Sequence, residues 1–311
     1  MSIQQFIVLS ILASSLGLMA CGGGSSSDPG QGTIQIGITD APVDSAEAVV
    51  IHFTSATIHG DSGNTVVAVT DPVSGDPGRT IDLLALQSGQ WTGLFDNVVT
   101  AGHYSWIRLE MDFSKSYIQI NGARYALRCT SCENNGYKLN SSFTVERDAV
   151  LALMLDFDLR KSITDPSNAS TDYTLRPTLR TIATAASGSI SGAVDSNLIT
   201  AAPGAMAACS VYVFSGYDAM LDDVYIPFTM MMPATQNNPV STAMVNGDGS
   251  YTYTISFLPA GDYTAALTCD AKNDHADQDD QLVFDASANV SVVAGETTTL
   301  HFVAPPIAAP I

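Results

Sequence analysis

Gly32-Thr33-Ile34-Gln35-Ile36-Gly37-Ile38-Thr39-Asp40-Ala41-Pro42 is the stretch that decides the fold. Ile34, Ile36 and Ile38 fall on one face of an extended chain and Thr33, Gln35 and Gly37 on the other, the period-2 pattern of a half-buried strand. Thr39-Asp40-Ala41-Pro42 predicts its end, because Asp closes a turn on its own backbone and Pro cannot continue a ladder. Working outward, further strands are expected at 48–58, 65–70, 103–113, 117–120, 123–127, 143–145, 149–158 and 174–184. Asp61-Ser62-Gly63-Asn64 and Asn121-Gly122 are turn signals between them, the second a strong hairpin signal. Only Leu83 to Gln87 reads as helical, and briefly. Short strands joined by regular turns predict an all-β chain of sandwich-like domains.

Composition agrees. Thr, Ser, Val, Ile and Ala dominate, charged residues make up 14%, and long stretches of helical period are missing. A net charge of −19 argues against nucleic acid as a partner, since phosphate binding needs clustered Lys and Arg. The charge is uneven: residues 32–186 hold 11 basic and 17 acidic residues, whereas from Ser187 onward Lys272 alone faces 13 acids. A divalent cation or a basic partner would find that second half attractive.

Phe6 to Ala20 is an unbroken apolar and small-residue run, too short to span a bilayer but of signal-peptide length, so residues 1–20 are expected to be removed. The run closes on Leu18-Met19-Ala20-Cys21, which resembles the lipobox of bacterial lipoproteins and marks Cys21 for lipidation. The segment Ser2 to Gln5 departs from the pattern in having no Lys or Arg. Several acyl chains on one residue hold a membrane firmly, each buried methylene contributing roughly 0.8 kcal/mol. Residues 21–31, rich in Gly and Ser, read as a flexible tether. With no Asp directly after Cys21, resemblance to the sorting rule of enteric lipoproteins points to the outer membrane.

Four ordered motifs carry a family likeness. The opening strand, Ile81-Asp82-Leu83-Leu84, Ala101-Gly102-His103-Tyr104 with Ile107-Arg108-Leu109, and Leu175-Arg176-Pro177 with Leu179-Arg180 together resemble the DUF4382 family of bacterial surface lipoproteins over 32–184. The resemblance implies an exported β-rich domain, taken here as 32–186, and supplies no reaction or catalytic residues. From Ser187 a second pattern begins, with Gly188-Ser189-Ile190-Ser191-Gly192, Cys209 to Phe214, Gly247-Asp248-Gly249-Ser250-Tyr251 and Leu258-Pro259-Ala260-Gly261-Asp262-Tyr263. This order is similar to the prealbumin-like sandwich domains called carboxypeptidase-regulatory-like, with a starch-binding-like topology, and is assigned to 187–304 ahead of a Pro/Ala tail at 305–311. Pro259 and Gly261 build a turn, Tyr263 starts a strand, and Ala265 and Leu267 are expected to point inward.

Cys129, Cys132, Cys209 and Cys269 are an even set in an oxidising compartment. Four thiols allow three connectivities, and Cys129–Cys132 with Cys209–Cys269 is preferred because each pair then stays within one domain. Cys-Thr-Ser-Cys could also bind metal or exchange disulfides, but the strand-turn context around it does not suit a redox helix.

Chemistry-bearing patterns are few. Gly188-Ser189-Ile190-Ser191-Gly192 places Ile where a nucleophile elbow needs Ser, and no zincin, Walker or dinucleotide signature occurs. His52, His59, His103, His275 and His301 are scattered and are expected as surface or half-buried strand residues. Asp156 and Asp158 share a strand face continued by Arg160; they could divide acid and base roles, but a surface ion-pair row is the expectation. Asp270, Asp274, Asp277, Asp279 and Asp280 crowd one loop with Asp285 beyond, a density of hard oxygen ligands suited to Ca²⁺, although the spacing is not that of an EF-hand. A solvated acidic loop joining two strands is the expectation, with Ca²⁺ as the alternative. Met230-Met231-Met232-Pro233 offers thioethers for copper but reads more simply as an apolar loop.

The sequence therefore predicts a non-enzymatic, lipid-anchored envelope module that binds carbohydrate or another envelope component. An adhesin or assembly protein binding other proteins, and a hydrolase using Asp156 and Asp158, are the alternatives.

Overall fold

The computed structural model describes residues 29–41, 46–166, 171–200, 209–226 and 236–304. The expected signal peptide, Cys21 and the tether up to Asp28, the Met230 to Pro233 segment and the tail from 305 lie outside them. In the first half, strands run as β1 (Gln31–Ala41), β2 (Ala48–Gly60), β3 (Gly63–Ala68), β4 (Arg79–Asp82), β5 (Thr92–Thr100), β6 (Gly102–Met111) and β7 (Tyr117–Ile120). They continue as β8 (Ala123–Arg128), β9 (Tyr137–Leu139), β10 (Phe143–Val145), β11 (Val150–Asp158), β12 (Ile163–Thr164), β13 (Tyr173–Leu175) and β14 (Leu179–Ala183), with a helical turn α1 (Leu159–Ser162). The second half holds β15 (Ser187–Ala193), α2 (Ser196–Thr200), β16 (Ser210–Ser215), β17 (Ser241–Met244), β18 (Thr252–Pro259), β19 (Gly261–Thr268), β20 (Ala286–Val292) and β21 (Thr297–Thr299).

Among the described residues the first unit stacks a four-stranded sheet, ordered β14-β11-β1-β5, on a ten-stranded one running β10-β6-β2-β7-β8-β13-β12 with β3, β4 and β9 attached. Ile34, Ile36, Ile38, Leu155 and Phe157 face Ile51, Phe53, Ile58, Ile107 and Leu109 in one core, the Phe53 and Phe157 rings meeting edge to face at 6.1 Å. β1 is central, antiparallel to β5 and parallel to β11. A parallel pair needs a long crossover, and here the crossover carries most of the opposite sheet. β1 does not stop at Thr39 as its turn signal predicts: Thr39, Asp40 and Ala41 pair with Asp156, Phe157 and Asp158, so β11 supplies a ladder where a turn was expected. The expected strand at 174–184 breaks in two, since Pro177 has no N–H to donate, and the pieces join different sheets, β13 beside β8 and β14 beside β11. Asn121 and Gly122 both take positive φ, 50° and 74°, as the predicted two-residue hairpin requires.

The second unit sets β18-β15-β21 against β17-β16-β19-β20. Ile190, Tyr253, Ile255, Val211, Val213, Ala265 and Leu267 fill the space between them. The other face of β16 and β19 is also covered, because Tyr212, Phe214 and Ala266 pack under Val224, Ala271 and Phe284 from the long loops. The Phe284 ring lies edge-on to Tyr212 at 5.7 Å and to Phe214 at 6.1 Å. Gly192 allows a close approach: a Cβ there would overlap the Leu300 carbonyl oxygen. Cys129–Cys132 closes the turn after β8, and Cys209–Cys269 joins the start of β16 to the end of β19 beside the Ser210–Thr268 pair.

Candidate functional site

Charged side chains of both units come together where β11 ends. β11 ends at Asp158, whose carboxylate accepts from the Lys161 N–H (3.2 Å) and whose carbonyl accepts from the Ser162 hydroxyl (2.6 Å), folding the chain into the single turn of α1. That turn sends two consecutive cations into the second unit. Lys161 Nζ sits 2.6 Å from Asp158 Oδ2 and donates to the Pro239 carbonyl at 2.6 Å. Arg160 Nη1 donates to the Ala271 carbonyl at 2.8 Å and lies 3.8 Å from Asp274 Oδ2, while its guanidinium stands over the Tyr212 ring at 5.4 Å. Arg160, Thr164 and Asp165 from one unit and Lys272, His275 and Asp277 from the other line a cleft of about 120 Å³.

The acidic loop is solvated only in part: Asp277 and Asp279 are exposed, whereas Asp274 is buried and Asp280 half-buried. Asp274 and Asp280 fold back toward Asp223, and one carboxylate oxygen from each lies within 4.8 Å of the others. The sequence pattern gave no reason to group Asp223 with them, because it belongs to a loop that only the sheet brings near. Of the other acids expected in a calcium site, Asp277 and Asp279 are exposed, and Asp270 accepts from Asn273 Nδ2 at 2.5 Å. The three that converge have protein donors. Asp223 accepts from Gln236 Nε2 (3.1 Å) and the Asp280 N–H (2.5 Å), Asp274 from the Tyr212 hydroxyl (2.5 Å) and the Val224 N–H (3.1 Å), and Asp280 from the His275 N–H (2.7 Å). The cluster therefore latches the loop after β19 onto the loop after β16, with Arg160 as its cation. Burial pushes the Asp274 carboxyl up to about 6, against the opposing pull of Arg160 and the Tyr212 hydroxyl. Burial likewise raises Asp223.

Asp156 and Asp158 do not form a surface row. They are 4% and 3% exposed, and each has its own cation: Arg180 from the neighbouring strand for Asp156, Lys161 for Asp158. Arg160 does not continue their face, since α1 turns it away from the strand. They are buried because the second unit covers the end of β11: Asp40 and Asp156 line a water-sized crevice with Ser241, Thr242 and Ser256. Burial raises the Asp156 carboxyl despite Arg180. His52 is also more buried than expected, 7% exposed with Nδ1 2.8 Å from the Thr80 hydroxyl, and burial lowers its pKa. His59, His103, His275 and His301 are half-buried or exposed.

The fold is thus an all-β, disulfide-bonded arrangement of two stacked-sheet units with a charged junction, and no described helix is long and apolar enough to cross a membrane. Residues 31–177 match the family described as a domain of unknown function, DUF4382. The match ends before β14, although β14 completes the sheet by pairing with β11. No curated protein matches the sequence. Solved structures with some similarity include the minor pilin GBS52 of Streptococcus agalactiae, 11% identical, covering 89% of this chain and 99% of that one at a TM-score of 0.20. The BcpA major pilin subunit of Bacillus cereus is 9% identical over 88% of this chain and 98% of its own, with a TM-score of 0.20. The TIE protein of Bacillus anthracis is 10% identical over 88% of this chain, which spans only 33% of that protein, at a TM-score of 0.21. Likeness at that level does not extend to function.

Proposed function

We propose that this chain is a non-enzymatic binding module of the bacterial cell envelope, anchored by lipid on Cys21 and directed at an extracellular or periplasmic carbohydrate. One observation carries the non-enzymatic part: the carboxylates on β11 that the sequence offers for acid–base work are each buried against a cation of their own, Asp156 against Arg180 and Asp158 against Lys161. A general acid or base must reach a substrate proton at hydrogen-bond distance, and these two face the junction. The apolar run before Cys21 and the Gly/Ser tether after it support the anchor, and the resemblance of the second half to carbohydrate-binding-like sandwiches supports the ligand class. Two measurements test the reading. Metabolic labelling with a radioactive fatty acid should mark the wild-type protein and leave Cys21→Ser unmarked. Wild type and Asp156→Asn should be equally silent on a panel of glycans and esters; turnover that disappears in the variant overturns the proposal in favour of a hydrolase.

A further inference from the structure

Trp106 sits on the ten-stranded sheet, and the strand register places a patch of side chains around it. Asn64, His59 and Trp106 form one row across β3, β2 and β6; Val66, Thr57, Arg108 and Lys138 form the next, extended onto β9; Ala68, Ser55 and Glu110 form a third. Rows lie about 7 Å apart along the strands and neighbours about 5 Å apart across them. The His59 ring stacks on the indole at 4.8 Å and 13°, and its Nδ1 is 2.6 Å from Asn64 Oδ1. The Arg108 guanidinium and the Lys138 ammonium stand 5.1 Å and 4.8 Å from the Trp106 ring centre.

The charges in this patch are unbalanced. Arg108 and Lys138 are directly opposed on antiparallel strands, where like charges repel. Among the described residues no ion pair within 4.0 Å involves Arg108 or Lys138, nor Arg79, Arg124 or Lys272, but only Arg108 and Lys138 stand side by side across two paired strands. Arg108 Nε is buried and has no hydrogen-bond partner. Glu110, in the third row, sets its carboxylate against Gly136, whose Cβ, if present, would stand 2.7 Å from it. The indole face offsets part of the repulsion. A chain of net charge −19 has thus kept two cations side by side with no anion between them.

We propose that this sheet face binds an acidic saccharide, with a sugar carboxylate between Arg108 and Lys138 and the sugar's hydroxyls toward His59 and Asn64 at the edge of the Trp106 ring. Paired cations suit an oxyanion through charge-assisted hydrogen bonds, and the imidazole and amide groups beside them suit hydroxyls. A second copy of the chain, whose surface acids could meet the same two cations, is the other occupant that the test separates. The inference rests on the binding-module reading and deepens it by naming a site and a ligand class.

The test titrates the chain from Gly22 onward with oligogalacturonate, with maltohexaose as the neutral control, following both heat and tryptophan emission in a Trp91→Phe background where Trp106 alone reports. Oligogalacturonate should shift the emission, maltohexaose should not, and Lys138→Gln combined with Arg108→Gln should weaken binding at least tenfold. The exposed Lys138→Gln alone, checked for an unchanged melting temperature, should weaken it several-fold. No binding of oligogalacturonate by the wild type overturns the proposal. Maltohexaose binding that ignores both substitutions also overturns the site while leaving the broader carbohydrate reading standing. Self-association abolished by Lys138→Gln, measured by sedimentation, overturns it in favour of a second copy.

Discussion

Asp274 gives a prediction whose sign follows from its surroundings. Its carboxyl is raised from 3.8 to about 6, with burial as the leading cause, so the folded protein holds this proton more tightly than the unfolded chain does. Between about pH 4 and pH 6 the native state therefore binds more protons, and the stability contributed by Asp274 falls as pH rises through that window. A shift of about two units at roughly 1.36 kcal/mol per unit makes the change about 3 kcal/mol. Asp274→Asn keeps Oδ1 as the acceptor for the Val224 N–H, turns Oδ2 into an N–H donor to which the Tyr212 hydroxyl oxygen becomes the acceptor, and cannot ionise. Urea unfolding of wild type and variant, followed by circular dichroism from about pH 4 to about pH 7, should show the wild type losing about 3 kcal/mol relative to the variant. Subtracting the variant removes the contribution of the other acids. A constant offset refutes the reasoning, and so does one of opposite sign: if Arg160, 3.8 Å away, outweighed burial, the carboxyl would be held low and the wild type would gain as pH rose.

Three further outcomes follow from the junction and the core. Lys161→Met leaves the Asp158 carboxylate buried without its cation and should cost about 3–5 kcal/mol in chemical denaturation, much of it recovered by adding Asp158→Asn. Opening Cys209–Cys269, which closes a separation of 60 residues, should cost about 4 kcal/mol by chain entropy, against about 1.6 kcal/mol for Cys129–Cys132 with a separation of 3; paired Cys→Ser variants compared by urea midpoint would decide. Gly192→Ala should lower the melting temperature by several degrees and raise amide exchange at Thr297 to Thr299, because the added methyl meets the Leu300 carbonyl and forces β21 off β15; unchanged exchange there would contradict the packing.

Strands with a clean period of two could be read from the sequence, and 117–120 and 143–145 were placed to the residue. What escaped was set by distant partners. β5, Thr-Gly-Leu-Phe-Asp-Asn-Val-Val-Thr, mixes turn formers into its run and is a strand because β1 lies alongside it. The parallel register of β1 on β11 has no local signal, so the burial of Asp156 and Asp158 was missed with it. β19 reads as alternating, yet Ala266 is as buried as Ala265 and Leu267, because the loop predicted to be solvated covers the outer face. Asp223 could not be linked to Asp274 and Asp280 without that fold. The rows around Trp106 were equally hidden, because they join residues from four strands through register alone.

The parallel pairing of β1 and β11 also has a mechanical meaning. Tension between residue 31 and the second unit enters β1 at its N-terminal end and leaves near the C-terminal end of β11, where Arg160 and Lys161 reach across. Parallel strands pulled at opposite ends are loaded in shear, so the pairs from Thr33–Val150 to Ala41–Asp158 bear the force together instead of opening one after another. A pull between residue 31 and a ligand held elsewhere on the molecule would thus meet all nine pairs of this ladder at once.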